Sequence, residues 1–422
     1  MKFRRETEFQ ETEIGRIARD WKVVRLKDVA EIRGSRKITQ GSDTLIFIPM
    51  EAIPDDGVYA GFELRDANEV KSYVYCEPGD ILLAKITPSF ENGKQGIVPE
   101  EIPGKFALAT TEVYPIRCKN INKFFLFYLL KYPPLRNKLA SLMRGTTGRK
   151  RVPREALEDQ PIPCPPLKEQ ENIGKILLTI QNLKESIRDA ISRLERLKRG
   201  LMSELLTGRI RVREENGRLS FYRETELQET EIGEIPRDWK VVKLGEVVEI
   251  WDKYRIPVKE NKRKPGPYPY CGANGIIGYI DGYTHDGEFV LLAEDGGFFG
   301  RFEKSAYIMR GKFWANNHVH VLKAIKGTII SEFLMHYLNF TDLTPFVTGS
   351  TRPKLNQEAM KKIPIALPPL VEQMKIAEIL SKVDRTIELH HRGRERLERL
   401  RRGLMDLLLT GKVRVVDGDV GS

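Results

Sequence analysis

From Lys168 to Leu206 the chain contains no proline, and apolar residues return every three or four positions. Ile173, Ile180, Ile187, Leu194 and Leu201 share one heptad position, and Ile176, Leu183, Ala190 and Leu197 share another. This period predicts one long helix with a continuous apolar stripe, about 58 Å long if it holds 39 residues. The stripe recurs late in the chain at Ile376, Ile379, Val383, Leu397 and Leu400, with Thr386, His390 and Gly393 interrupting its middle. A glycine there costs roughly 1 kcal/mol against alanine, so the second stripe is expected to be looser at its centre. "PPL" precedes each helix and "LTG" follows it, a start and a glycine stop. Two such stripes are expected to pack on each other, antiparallel, through Ile173, Ile176, Ile180, Leu183, Ile187, Leu194 and Leu197 on one side. Ile376, Ile379, Val383, Leu397 and Leu400 supply the other. Elsewhere the apolar runs are short. "TLIFIPM" (44–50), "GDILLAKI" (79–86), "GEFVLLAEDG" (287–296) and "NHVHVLKA" (317–324) predict strands, with helices over 123–132 and 331–340. The fold class expected is mixed α/β.

The chain repeats itself at two offsets. Residues 5–32 return as 223–250 with 21 of 28 positions identical, an offset of 218. "PIPCPPLKEQ" (161–170) returns as "PIALPPLVEQ" (364–373) at an offset of 203 and leads into the helices. Late in those helices "RLERLKRGLMSELLTGRIRV" (193–212) returns as "RLERLRRGLMDLLLTGKVRV" (396–415), with 15 of 20 positions identical. Each half is therefore a shared opening, a divergent middle (33–160 and 251–363) and a shared close. Faint matches such as "KFALATTEVY" (105–114) with "KFWANNHVHV" (312–321) point to one fold carrying two different surfaces. The chain also stops where its own repeat would begin again, so Met1 and Ser422 are expected on the same side of the molecule, in a nearly closed circular order.

Composition adds a sign of charge. Seventy Lys and Arg against 59 Asp and Glu give a net charge of +11, with a mean hydropathy of −0.39. A basic excess suits a phosphate backbone or an acidic protein. No apolar run approaches the length of a membrane span, and "MKFRRETEFQETEIG" has no apolar core of a secretory signal. Cys76, Cys118, Cys164 and Cys271 form no C-x-x-C pair, which argues against a disulfide framework or zinc site and for a reducing cytoplasm.

The loops of the divergent middles carry side chains that suit DNA. "KITPSFENGKQG" (85–96) offers Lys85, Ser89, Asn92, Lys94 and Gln95. "RGTTGRKRVPRE" (144–155) offers Arg144, Thr146, Thr147, Arg149, Lys150 and Arg151. In the second half "YCGANGIIGY" and "EDGGFFGRF" offer Asn274, Asp295 and Arg301, and "TGSTRPKLNQE" (348–358) offers Thr348, Ser350, Thr351, Arg352 and Lys354. Arg and Lys match guanine edges, Asn and Gln match adenine, an acid can accept from cytosine, and hydroxyls and cations hold phosphates. Such Gly-, Asn- and Ser-rich stretches also make ordinary turns; the equivalent placing of the two hydroxyl-rich basic loops favours DNA. There is no phosphate-binding G-x-x-x-x-G-K-[ST], no H-E-x-x-H and no Asn/Asp-Pro-Pro-aromatic motif. His318 and His320 share a strand face without an evident third metal ligand. No catalytic site and no metal site are expected.

Together these segments resemble the specificity (S) subunit of Type I restriction-modification enzymes over essentially the whole chain. "TEIGEIPRDWKVVKLGEV" (230–247) and its twin at 12–29 are similar to the family's opening segment. "PPLKEQ" and "PPLVEQ" leading into "RLERLKRGLM" and "LLTG" are similar to its helical spacers. "FIPMEAI", "GDILLAKITPSFENGK", "CGANGIIGYIDGY" and "GKFWANNHVHVL" resemble its target recognition domains. Ala18, where the twin has Pro236, is a departure. The resemblance implies recognition domains over 1–165 and 208–368, a first spacer helix over 166–207, a second spacer helix with a C-terminal tail over 369–422, and no catalytic activity in this chain. It further implies that each domain reads one half of an asymmetric bipartite double-stranded DNA target while the helices set the gap. It implies two methylation (M) subunits that hold S-adenosylmethionine, and restriction (R) subunits that use ATP and Mg, in the cytoplasm of a prokaryote. The competing reading is a dumbbell-shaped protein-binding adaptor.

Overall fold

The structure is a computed structural model that describes residues 1–34, 44–349 and 353–416. It divides into two compact units, one of Met1–Asp189 with His391–Ser422 and one of Ala190–His390. The division falls near the middles of the two long helices.

The predicted helices are Leu167–Leu205 and Leu370–Leu408. In the first unit Ile173 and Leu177 share a core with Met405 and Leu408, and Lys184 is ion-paired with Glu398. In the second unit Met202 and Leu205 share a core with Ile376 and Leu380, and Lys198 Nζ lies 2.6 Å from Asp384. Within each unit the two helix segments are therefore antiparallel, as expected. The predicted packing set needs correction. Ile173, Ile176, Ile376 and Ile379 face the globular core of their own unit. Leu183, Leu197 and Leu400 are 49%, 52% and 50% exposed and take no part in a continuous apolar contact. Charged pairs stand in their place, and Gly393 lies where an added Cβ would sit 3.8 Å from Ile187 Cδ1. Heptad spacing marks a face, but it does not say whether the opposing residue will be apolar or a partner ion.

Each unit builds the same four-stranded arrangement from its divergent middle and the last strand of its repeated opening. In the first unit four antiparallel strands run in the order Gln95–Ile97, Ile81–Ala84, Val113–Cys118, Ala30–Ile32. In the second unit Ala306–Ala315, His285–Ala293, Val319–Ala324 and Val248–Ile250 follow the same order. The registers match residue for residue. Val113 faces Ala84 and Tyr114 faces Leu83; Val319 faces Ala293 and His320 faces Leu292. The second sheet continues through Tyr268–Gly272, parallel to the end of Ala306–Ala315, and ends on the edge strand Gly275–Ile280. The helix Lys123–Lys131 begins at Asn122, whose side chain accepts from the Phe124 and Phe125 amides, capping otherwise orphaned donors. Gly174 of the first long helix lies against this start; a Cβ there would meet Phe124 Cβ at 2.9 Å.

The repeated segments build the same ionic knot twice. Arg414 donates through Nε and Nη2 to Glu169 at 2.9 and 2.7 Å, to both Asp20 oxygens at 2.7 and 2.9 Å, and to Glu6 at 2.7 Å. Arg211 does the same with Glu372, Asp238 and Glu224. Trp21 Nε1 donates to Glu169 and Trp239 Nε1 to Glu372, at 3.2 and 3.1 Å. The neighbouring glutamines staple each helix start to its domain. Gln170 accepts from the Asn122 amide and donates to the Pro165 carbonyl, and Gln373 accepts from the Ile330 amide and donates to the Pro368 carbonyl. The "PPL-x-EQ" repeat is thus a junction, its acid for the arginine and its amide for the domain.

Strand Lys2–Arg5 pairs with Val413–Val416, placing Val413 opposite Arg5 and Val416 opposite Lys2. Hairpin Ile210–Glu215/Arg218–Arg223 places Ile210 opposite Arg223 and Arg213 opposite Ser220, the same register two repeats apart. The expected circular order is present in this pairing; Ser422 itself lies outside the described residues. Both long helices stop at a left-handed glycine with no room for a side chain. A Cβ on Gly208 would meet Pro236, and one on Gly411 would meet Ala18 at 2.8 Å. Ala18 therefore fills the place of Pro236, and the departure leaves the stop intact.

His336, on helix Ser331–Phe340, is wholly buried, and its Nε2 lies 3.1 Å from Ser381 Oγ. Burial pushes its pKa down from 6.5 to about 4. A depressed folded value means that stability is fully present above pH 6.5 and is lost as pH falls toward 4. We expect the His336→Gln variant, which does not titrate, to lose on the order of 3 kcal/mol less than the parent over that interval. Urea unfolding at the two ends of the interval measures this; an identical loss in both proteins would exclude the buried imidazole as its source.

Candidate nucleic-acid interface

The matched basic loops are one construction. In the first unit the loop over 144–151 is closed by an antiparallel bridge between Arg144 and Arg151, and Arg151 also bridges Ile86, two residues beyond strand Ile81–Ala84. In the second unit Thr348 bridges Lys354, and Lys354 bridges Asp295, two residues beyond His285–Ala293. Gly145 and Gly148 hold positive φ values that a side chain would strain. The next residues, Val152 and Leu355, are buried and bind the strand ends through Val152 N to Lys85 O (2.9 Å) and Leu355 N to Glu294 O (2.7 Å).

These bonds sort the expected contact residues. In the first unit they bring 85–94 and 144–151 together, with Thr87 N also donating to Lys150 O at 3.0 Å. Arg144, Thr146, Thr147, Arg149 and Lys150 are exposed around the tip, with Asn92 exposed and Ser89 half-buried on the adjoining loop. Lys85 lies 4.8 Å over the Tyr114 ring, and burial pushes its ammonium pKa down. Three residues expected to touch DNA are engaged by groups of the protein itself. Gln95 is wholly buried, donating to Phe127 O and accepting from Arg136. Lys94 Nζ donates to the Met50 and Ile53 carbonyls at 2.9 and 3.0 Å. Arg151 makes a two-point pair with Glu112 at 2.9 and 2.8 Å, and its donation holds the Glu112 carboxyl below its usual range. Sequence spacing cannot distinguish these roles, because a loop cation has the same local signature whether its acceptor is a base, a phosphate or its own fold.

In the second unit three loops converge. Asn274 Nδ2 donates to Gly296 O at 3.0 Å, tying the 270–279 turn to the 294–302 loop, which the Asp295–Lys354 bridge ties to the basic loop. Asp295 pairs with His318, and Lys354 Nζ lies 2.9 Å from Glu294. Thr348 is exposed, its hydroxyl donating to Lys354 O at 3.3 Å. Arg301 is exposed and lies 4.5 Å over the Phe340 ring. Ser350, Thr351 and Arg352 lie outside the described residues. The sequence reading missed Phe298 on one of these loops and Ile276 and Ile277 on the adjoining edge strand, each about half exposed. Doubled aromatic and β-branched residues beside glycines were the available signal.

Asp252, Glu294 and His320 bring ligand-type atoms within 4.8 Å of one another, a third partner the sequence did not suggest for the histidine. The oxygens are engaged by the protein's own cations. Asp252 accepts from His320 Nδ1 (2.6 Å) and Val321 N (2.8 Å) and lies 3.5 Å from Arg255, and Glu294 pairs with Arg255 and Lys354. Burial pushes the Asp252 carboxyl up, but the His320 hydrogen bond and charge outweigh it and leave it lowered. A divalent ion would have to displace a guanidinium, so the residues fit an ion-pair network rather than a metal centre.

Comparison with known proteins identifies relatives of this duplicated fold. A putative type I restriction enzyme specificity subunit of Methanocaldococcus jannaschii is 28% identical over 98% of this chain and 99% of its own length. One from Haemophilus influenzae is 46% identical over 34% of this chain and 36% of its own length. Among solved structures, the Type I restriction-modification S subunit from M. genitalium shares the fold at a TM-score of 0.61, with 13% identity, over 94% of this chain and 97% of that one. The Type I restriction modification DNA specificity domain matches residues 18–196 and 236–399, once in each half of the duplicated fold, and the chain belongs to that family.

Proposed function

We propose that this chain selects the DNA target of a Type I restriction-modification complex, each unit reading one half of an asymmetric bipartite site. The observation that carries the reading is the pair of basic loops hung from identical strand registers in otherwise divergent domains. A fold that keeps its scaffold while changing what it presents is built to distinguish two things by one mechanism. Phosphate contacts from exposed cations would supply salt-sensitive affinity, and base-edge contacts would supply selection. The chemistry belongs to partners in this reading: two M subunits holding S-adenosylmethionine, and R subunits using ATP and Mg. The adenine to be methylated must leave the base stack, which is the work of the methylating subunit. The setting is the cytoplasm; no helix among the described residues is long and apolar enough to cross a membrane. The long helices would set the gap and dock the M subunits.

The adaptor alternative predicts no sequence preference in DNA binding. Replacing residues 33–160 with the equivalent segment of another family member is expected to change one half-site and leave the other intact. Mapping of methylated adenines in cells carrying the chimera reads this directly. A change in both halves would contradict independent reading, and retention of both would contradict reading by this segment.

A further inference from the structure

The carbonyl that ends each basic loop is held by one side chain from an interior strand of the sheet, the one next to Ala30–Ile32 in the first unit and next to Val248–Ile250 in the second. In the first unit the Tyr114 hydroxyl donates to Val152 O at 2.9 Å. In the second unit His320 Nε2 lies 2.8 Å from Leu355 O, and because a carbonyl can only accept, the ring nitrogen donates. Tyr114 and His320 occupy the same register position, facing Leu83 and Leu292. Val152 and Leu355 likewise stand one residue beyond the loop-closing partners Arg151 and Lys354. Two side chains of different chemistry thus meet the same backbone acceptor at the same place in domains whose sequences have otherwise diverged.

We propose that Tyr114 and His320 are the positioning residues of the two DNA-reading loops, each fixing the point from which its loop projects. The inference rests on the reading of those loops as DNA contacts. Val152 and Leu355 are wholly buried, and their amides are bonded to the preceding strand ends, so the side-chain donor completes a clamp on both sides of one peptide. A carbonyl released there would turn the loop about its closing bridge and move a base-reading group out of reach, because direct readout tolerates little displacement. The two clamps differ in what surrounds them. Tyr114 packs beneath Lys85, near the Glu112–Arg151 pair, and burial pushes its phenol pKa up, keeping the donor proton in place. His320 is oriented from behind by Asp252, with Arg255, Glu294 and Lys354 completing the charged shell.

The test uses the full chain in its methyltransferase complex, with the target taken from the methylated-adenine map. Binding is compared between target DNA and DNA with one half-site scrambled, at fixed salt, with thermal unfolding of each variant as control. Tyr114→Phe removes one hydroxyl and keeps the ring. It is expected to lower discrimination at the first unit's half-site roughly five- to tenfold, the range of one hydrogen bond. Discrimination at the other half-site and affinity for unrelated DNA should stay unchanged, and the unfolding temperature should fall by no more than the loss of one buried hydrogen bond accounts for. His320→Phe and His320→Tyr both remove the imidazole from Asp252, but only the tyrosine restores a donor of the kind used in the first unit. Discrimination at the second half-site should be lost in the former and retained in the latter.

A triple variant, Arg144→Gln, Arg149→Gln, Lys150→Gln, separates the two levels of inference. If it weakens DNA binding while Tyr114→Phe keeps full discrimination, the positioning role is overturned and the loop reading stands. If the triple variant binds like the parent, the loop reading fails and the positioning role with it. Equal behaviour of His320→Phe and His320→Tyr overturns the role in the second unit.

Discussion

Replacing Arg414 with methionine is expected to cost the first unit about 3–5 kcal/mol, the range for a buried ion pair that loses one partner. Glu6, Asp20 and Glu169 all point at this guanidinium, and two of the three are nearly inaccessible to water. Removing the cation leaves two buried carboxylates, Glu6 and Glu169, without their countercharge. Arg211→Met deletes the same interactions in the second unit, yet its effect is expected to be smaller. There the paired strands Ile210–Glu215 and Arg218–Arg223 remain joined through Asn216 and Gly217. Lys2–Arg5 and Val413–Val416 have no short turn between them, so the ionic knot carries more of their association. Hydrogen exchange separates the two cases. The amides of Lys2–Arg5 should lose protection in Arg414→Met, while those of Arg218–Arg223 should stay largely protected in Arg211→Met. Equal loss in both variants would show that the knot, not chain connectivity, governs the pairing. Acid offers a second view. Backbone N–H of Glu8 and the Arg414 side chain hold the Glu6 carboxyl down at about 2. A depressed value makes this contribution complete above about pH 4.5 and lost as pH falls toward 2. Protection of the first strand should fade over that interval in the parent.

The second large effect is on salt dependence. Arg144, Arg149 and Lys150 stand exposed on the tip of the first unit's basic loop. If each neutralises one phosphate, changing all three to glutamine should flatten the plot of log K against log salt by roughly 0.9 per contact, up to about 2.7 in all. The loss should be similar on target and unrelated DNA, because phosphates carry no sequence information. Arg151→Gln should behave differently. That guanidinium is already paired twice with Glu112, so the variant should disturb the loop without flattening the slope. An unchanged slope in the triple variant would remove the loop from the interface.

The sequence was most legible where it repeats. Identity across two offsets marked the scaffold, and the proline-free apolar period marked both long helices to within a residue or two of Leu167–Leu205 and Leu370–Leu408. Two equivalent basic loops were also recognisable, since glycine and cation spacing survives divergence. What the sequence hid was the partner of each polar residue. Gln95 and Lys94 sit in a loop rich in flexible residues, yet their acceptors are carbonyls of distant segments, Phe127 for one and Met50 and Ile53 for the other. Leu183 and Leu197 satisfy a heptad count but face solvent, because Lys184–Glu398 and Lys198–Asp384 occupy the opposing positions. Tyr114 drew no attention and His320 drew it only as a metal-ligand candidate, because their equivalence appears only in register.

The loop-closing bridges Arg144–Arg151 and Thr348–Lys354 fix where each tip leaves and rejoins its domain. Whatever lies between the closing residues can be lengthened, shortened or replaced without shifting the sheet beneath it. Such a tip is a cassette. On the reading proposed above, recombination or point mutation confined to the tip would change the half-site that unit reads while leaving the folded body as it was.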